Sequence, residues 1–166
     1  PADRVAALAA RHSGGAVRLR VPDDAELDGP VLLRLDGTGD EGPVHGHLVV
    51  DVGAHAKATV VLEHAGSARY AELVSVRVGE GASLDLVTLS LWEDDAVHVG
   101  QTAIQVGRDA SVRAFQVSLG GDLVRMVQTV SYDGPGGDAE LLGLYFADAG
   151  QHLEHRLFVD HNAPKT

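Results

Sequence analysis

Nine histidines and no cysteine define the side-chain chemistry open to this chain. Without thiols there is no disulfide, no thiolate metal site and no cysteine nucleophile. Two histidine groupings have spacings that could serve a metal. His152 and His155, with His161 following, would share a face on a helix. The run around them alternates Leu153, Leu157 and Val159 against Glu154, Arg156 and Asp160, which is a strand pattern, and on a strand the two imidazoles point to opposite sides. His45 and His47 sit two apart and would share a strand face, but no third ligand stands near them. The acidic stretch from Asp36 to Glu41 faintly resembles a calcium loop. Counted from Asp36, however, the glycine and glutamate positions of that loop hold Glu41 and His47, so a solvated turn is expected. Glu93, Asp94 and Asp95 follow Trp92, and carboxylates beside an aromatic ring can line a glycan cleft; at a strand end the triplet reads as an acidic corner. Gly79-x-Gly81 lacks the third glycine of a dinucleotide fingerprint and lies between strands. No nucleophile elbow, P-loop or His-Glu-x-x-His occurs. The sequence therefore assigns no catalytic, cofactor-binding or metal residue, no cofactor and no enzymatic turnover.

The elements that would carry these residues are strands. Val52-Gly53-x-x-Ala56 returns as Val78-Gly79-x-x-Ala82 and Val106-Gly107-x-x-Ala110, at steps of 78 − 52 = 26 and 106 − 78 = 28 residues. A phrase returning at near-constant period is the mark of a solenoid, with two strands per coil joined by tight corners. Tyr132-Asp133-Gly134-Pro135, leading to Ala139 and Leu141, is a degenerate fourth copy. The phrase also resembles one rung of the hexapeptide acyltransferase helix, but those proteins repeat it every six residues; here it marks one corner per coil. An antiparallel sandwich would supply many short strands but no reason to repeat a phrase.

Strands are expected over 16–21, 31–35, 44–52, 56–63, 70–78, 82–91, 96–106, 110–119, 123–132, 138–147 and 151–160, with an exposed turn over 36–43. Val74, Val76 and Val78 fall on one side of their strand and Ser75 and Arg77 on the other, so one face is buried and one wet. Residues 2–12 read as a helix, with Asp3 able to cap it, Val5, Leu8 and Ala9 on one face, and Gly14-Gly15 ending it. The expected organisation is a helix and linker over 1–15 and a β-helix over 16–166.

Composition narrows the partners. The 166 residues form one domain rich in Val, Leu, Ala and Gly, with only three Phe, three Tyr and one Trp, a palette suited to thin stacked layers. The net charge of −11 repels nucleic acid. No apolar run is long enough to span a membrane, and no signal peptide is visible. With the lack of cysteine, a cytoplasmic setting is expected. The start at Pro1 and the stop at Lys165-Thr166 suggest a piece of a longer polypeptide.

The last third carries a family resemblance. Ser118-Leu119-Gly120-Gly121-Asp122-Leu123-Val124-Arg125, then Gly143-Leu144-Tyr145-Phe146, Gln151-His152, and Val159-Asp160-His161-Asn162-Ala163-Pro164-Lys165-Thr166 resemble, in order and spacing, the SufB/SufD family of iron–sulfur cluster assembly proteins. The resemblance runs from about Val17 to Thr166, and Asp160-His161 before x-Ala-Pro is closer to the SufD branch. It implies an all-β fold, a right-handed parallel β-helix with two short strands per turn after a short N-terminal helix. It also implies a scaffold role, in which the protein pairs with a SufB-like subunit, binds a SufC-like ABC-type ATPase and supports iron entry. The family's reactive Cys and His lie beyond the Asp-His-x-Ala-Pro stretch, so no residue here inherits a role. A carbohydrate-active β-helix and a self-assembling structural β-solenoid are the alternative readings. An isolated β-helix segment is expected to self-associate through its open strand edges.

Overall fold

The repeated phrase builds one corner of a coil, stacked on itself. In the computed structural model, which describes residues 3–148 and 150–166, Val21, Val52, Val78, Val106 and Tyr132 are successive partners in parallel register. Gly79 N–H donates to Val52 O and Gly107 N–H to Val78 O, each at 2.8 Å. A Cβ on Gly107 would lie 2.8 Å from Val78 O and 2.9 Å from Gly79 C, so only glycine lets these corners stack so closely. Ala56, Ala82 and Ala110 re-enter the core beside them, all buried.

After α1 (Arg4–His12) come β1 (Val17–Val21), β2 (Val31–Val52), β3 (Lys57–Val78), β4 (Ser83–Trp92), β5 (Val97–Val106), β6 (Ser111–Ser118), β7 (Leu123–Tyr132), β8 (Asp138–Tyr145) and β9 (His152–Asp160). Every pairing among them is parallel. One arm of the coil stacks β3, β4, β6 and β8 and the other β3, β5, β7 and β9. The result is a parallel β-solenoid of about 5 turns; an antiparallel sandwich is excluded.

Two sequence expectations are corrected. Residues 36–43 are not a turn outside the sheet. β2 runs through them, with a register shift between Thr38 and Pro43. The break expected between strands 56–63 and 70–78 is likewise absent, because β3 bends through Gly66 and serves both arms of the coil. Gly66 has φ +75 and abuts Gly37, so the chain turns there without leaving the ladder.

The N-terminal helix is present over Arg4–His12, capped by the Asp3 carboxylate accepting from Val5 N–H at 2.7 Å; residue 2 of the expected span lies outside the described residues. Its buried face is Ala6 and Ala9, packed on Leu73, and Leu8 is exposed. The small residues win because the helix lies flat on the outer face of β3, where an alanine surface permits close approach. Arg125 ties it down, donating to Asp3 at 2.9 Å and facing Glu154 at 3.5 Å.

Candidate functional site: a polar corner inside the solenoid

Alternation along a strand places every second side chain in the lumen. In β3 the inward set is Ala58, Val60, Leu62 and His64, then after the bend Tyr70, Glu72, Val74, Val76 and Val78, all buried. β4 adds Thr88, Ser90 and Trp92, and β5 adds His98 and Thr102, also buried. Tyr70 pairs with His98 in the neighbouring coil and His64 with Ser90. The register therefore brings His64, Tyr70, Glu72, Trp92 and His98 together at the corner opposite the Val-Gly-x-x-Ala stack.

Glu72 is the hub. Its Oε1 lies 3.2 Å from His64 Nε2 and accepts from Tyr70 OH at 3.2 Å, while its Oε2 lies 3.3 Å from His98 Nε2. His64 Nδ1 stands 3.3 Å from Leu89 O, and Trp92 Nε1–H donates to His98 Nδ1 at 3.1 Å. These partners set the tautomers, since a carbonyl only accepts and an indole N–H only donates. His64 therefore carries a proton on Nδ1, and the neutral His98 carries its proton on Nε2.

The electrostatics follow. Burial opposes the charge on Glu72, but His64 and His98 outweigh it and hold its carboxyl below the usual carboxylate range. Burial also opposes a charged His64, yet the Glu72 charge and hydrogen bond raise it. His98 is lowered, first by burial and then by repulsion from His64, against the pull of Glu72. Burial and the Glu72 charge push the Tyr70 phenol up. These shifts favour the charged forms of His64 and Glu72 and the neutral form of His98. His64, Glu72 and His98 each offer a ligand atom, all within 4.8 Å of one another. They are the group of metal-ligating side chains that the described residues bring together.

Tyr70 and Trp92 also wall an adjoining cavity of about 450 Å³, lined further by Leu35, Asp36, His45 and Gly46. A Cβ on Gly46 would lie 1.9 Å from Tyr70 Oη, so glycine there makes room for the ring. Past the triad the polar side continues as Thr88 over Gln116 and Ser90 over Ser118, and Ser118 Oγ lies 2.9 Å from His155 Nε2.

The residues singled out from sequence fall elsewhere. His152 is exposed, 3.7 Å from Glu154, and His155 points to the opposite side, toward Ser118. His161 stacks on Tyr132 at 5.7 Å while Asn162 Oδ1 accepts from Tyr132 N–H at 2.9 Å, so the Asp-His-x-Ala-Pro stretch closes a corner. His45 packs against His12 at 5.4 Å, whereas His47 lies 3.0 Å from Ser75 Oγ. Trp92 turns inward and Glu93 to Asp95 turn outward, so they form no common cleft. A Cβ on Gly120 would sit 2.0 Å from Trp92 O, which places the Gly-Gly motif directly against the polar corner. The sequence reading passed over the triad, although Glu72 shares the parity of Val74, Val76 and Val78, a face already read as buried.

Comparison with known proteins gives a family. The SufBD core domain of the SUF system for FeS cluster assembly matches residues 35–166. Iron–sulfur cluster assembly SufBD family proteins of Mycobacterium bovis and Mycobacterium tuberculosis are 44% identical over 164 residues, covering 99% of this chain and 41% of each relative. The corresponding protein of Mycobacterium leprae is also 44% identical, over 99% of this chain and 42% of its own length. The chain thus spans about two fifths of these relatives. No solved structure matches it.

Proposed function

The chain belongs to the SufBD family of iron–sulfur cluster assembly proteins, and from that premise we propose that it is the structural part of a SufD-like subunit. In this reading it pairs with a SufB-like subunit, serves an ABC-type ATPase, works in the cytoplasm and performs no turnover of its own. The cluster is cargo, built and passed on by the assembly.

The supporting observation is the last coil. Leu142, Leu144, Tyr145, Phe146, Leu157, Phe158 and Val159 are all exposed there, and β8 and β9 have no further strand paired to their outer edges among the described residues. A parallel edge with apolar side chains is costly to leave in water. Further coils of the polypeptide, and beyond them a partner of the same construction, would cover it by continuing the ladder. The relatives are long enough to supply such coils. No described helix is long and apolar enough to cross a membrane, and the negative surface suits protein partners better than nucleic acid.

Affinity capture tests this reading. The full natural chain should retain an ABC-type ATPase and a SufB-like paralogue, whereas the isolated 166-residue chain should retain neither and should self-associate in light scattering. A full chain that captures no ATPase, or an isolated chain that stays monomeric at high concentration, would count against it.

A further inference from the structure

We propose that His64, Glu72 and His98 bind a single divalent first-row metal ion, of the zinc or ferrous class, inside the solenoid. Two imidazoles and a carboxylate are the donor set such ions take. Bonds of about 2.0–2.1 Å to a shared ion, at angles between octahedral and tetrahedral, place neighbouring donors about 2.8–3.4 Å apart. The separations of 3.2 Å from His64 Nε2 to Glu72 Oε1 and 3.3 Å from His98 Nε2 to Glu72 Oε2 fall in that range, and the ligand atoms of all three residues lie within 4.8 Å of one another.

Orientation separates this arrangement from a simple hydrogen-bonded pair. Glu72 Oε2 and His98 Nε2 are close, yet neither has a hydrogen-bond partner, and both residues are wholly buried. The two atoms converge without being aligned on each other, as donors do around a common centre. Two groups beyond the donors support the same reading. Leu89 O holds His64 Nδ1, turning Nε2 inward, and Tyr70 OH holds Glu72 Oε1, as outer partners orient metal ligands. The adjoining cavity is walled by Tyr70 and Trp92, the two rings that bond Glu72 and His98.

Trp92 acts in the opposite sense. Its N–H at His98 Nδ1 keeps the metal-free proton on Nε2, the atom the ion must take. Binding releases that proton to solvent, together with the Nε2 proton of a charged His64, and requires either that Trp92 let go of Nδ1, which then takes up a proton, or that His98 bind as imidazolate. Trp92 thus restrains affinity, and its removal should tighten the site. This inference stands apart from the assembly role, because a protein that captures its partners but takes up no metal would refute it and leave that role intact.

The test is Co(II) titration of the full natural chain after chelation, read by visible ligand-field absorption. One equivalent should bind with a nitrogen/oxygen spectrum. Glu72→Gln should weaken binding by at least about 100-fold, and Trp92→Phe should tighten it by about tenfold, within the range over which outer partners tune metal affinity. Circular dichroism checks the fold, and where Glu72→Gln does not fold, Trp92→Phe carries the test. Absence of a bound Co(II) spectrum in folded protein, binding undiminished by Glu72→Gln (the mark of surface histidines), or unchanged or weaker binding in Trp92→Phe would each overturn the proposal.

Discussion

The lumen has two unlike corners. At one, Val50, Val76, Ile104 and Val130 stack in register, with Val60, Leu86 and Ala114 on the facing arm. All are buried and none carries a polar side-chain atom. At the other, His64, Ser90 and Ser118 form one ladder, Thr88 and Gln116 a second, and Thr102 and Gln128 a third. Both corners belong to the same coils and share the same backbone hydrogen-bond ladder. The dry corner therefore shows what the fold requires for stability, and the polar corner shows what has been added to it. Polar groups buried to this degree are retained only where partners or ligands compensate their lost hydration. Thr102 Oγ1 and Gln116 Oε1 also lack hydrogen-bond partners, so the polar corner is the less completely satisfied of the two.

The largest effect expected from challenging this division is at Glu72. Glu72→Gln leaves a raised, buried His64 without its counter-charge, and breaking such a pair costs about 3–5 kcal/mol. Leu86→Ala at the dry corner should cost a comparable amount, about 2–5 kcal/mol. The two losses differ in character. Urea unfolding of metal-free protein should show the Glu72→Gln loss shrinking at alkaline pH, as His64 becomes neutral, while the Leu86→Ala loss stays flat. Equal pH profiles would remove the electrostatic distinction between the corners.

A smaller effect is expected from pH alone on the metal-free parent. His98, and with it the half-buried His155, is held below the ordinary histidine value of 6.5. The unfolded chain then binds more protons, so their contribution falls as pH drops below 6.5. Glu72 is held below its ordinary value of 4.5; its contribution is present above that value and is lost as pH falls toward its folded one. His64 is raised, so its contribution is complete below 6.5 and is lost as pH rises through its folded value. Stability should therefore be greatest between 6.5 and the raised value of His64, and decline on both sides. Monotonic stability from pH 5 to 9, measured by thermal unfolding, would show that the triad is not charged as its geometry implies.

The smallest effect belongs on the outer face. Arg18 pairs with Asp51 across β1 and β2 with its own side chain more than half exposed. Arg18→Ala should cost no more than about 1 kcal/mol and lose even that at high salt. A larger, salt-insensitive loss would mean that the outer face, and not the lumen alone, carries the coil.

Much of the fold was legible because the dry corner repeats. Val52, Val78 and Val106 must each fill the same space, and Gly79 and Gly107 must each pass the same neighbouring backbone, so the same residues return at the same phase. The family motifs were legible in order and spacing, though their structural work was not: Gly120 gives way to Trp92, Arg125 ties down the helix, and His161 covers Tyr132. The polar corner leaves no such trace. His64, Glu72 and His98 come from the two arms of one coil and from the next, and no phrase links them. The run over 36–43 misled because glycine and acidic residues mark turns in most chains, whereas here β2 pairs with β3 up to Thr38 and again from Pro43, across a register shift.

The sequence by itself determined a coiled, parallel β chain, because period and alternation are local properties that survive without coordinates, and its family, because the motifs keep their order and spacing. Only the tertiary structure decided which inward positions meet. Parallel register set Tyr70 on His98 and His64 on Ser90, and the bend through Gly66 folded Glu72 back toward His64. A site assembled from three strand segments depends on that register and bend, which no local pattern encodes.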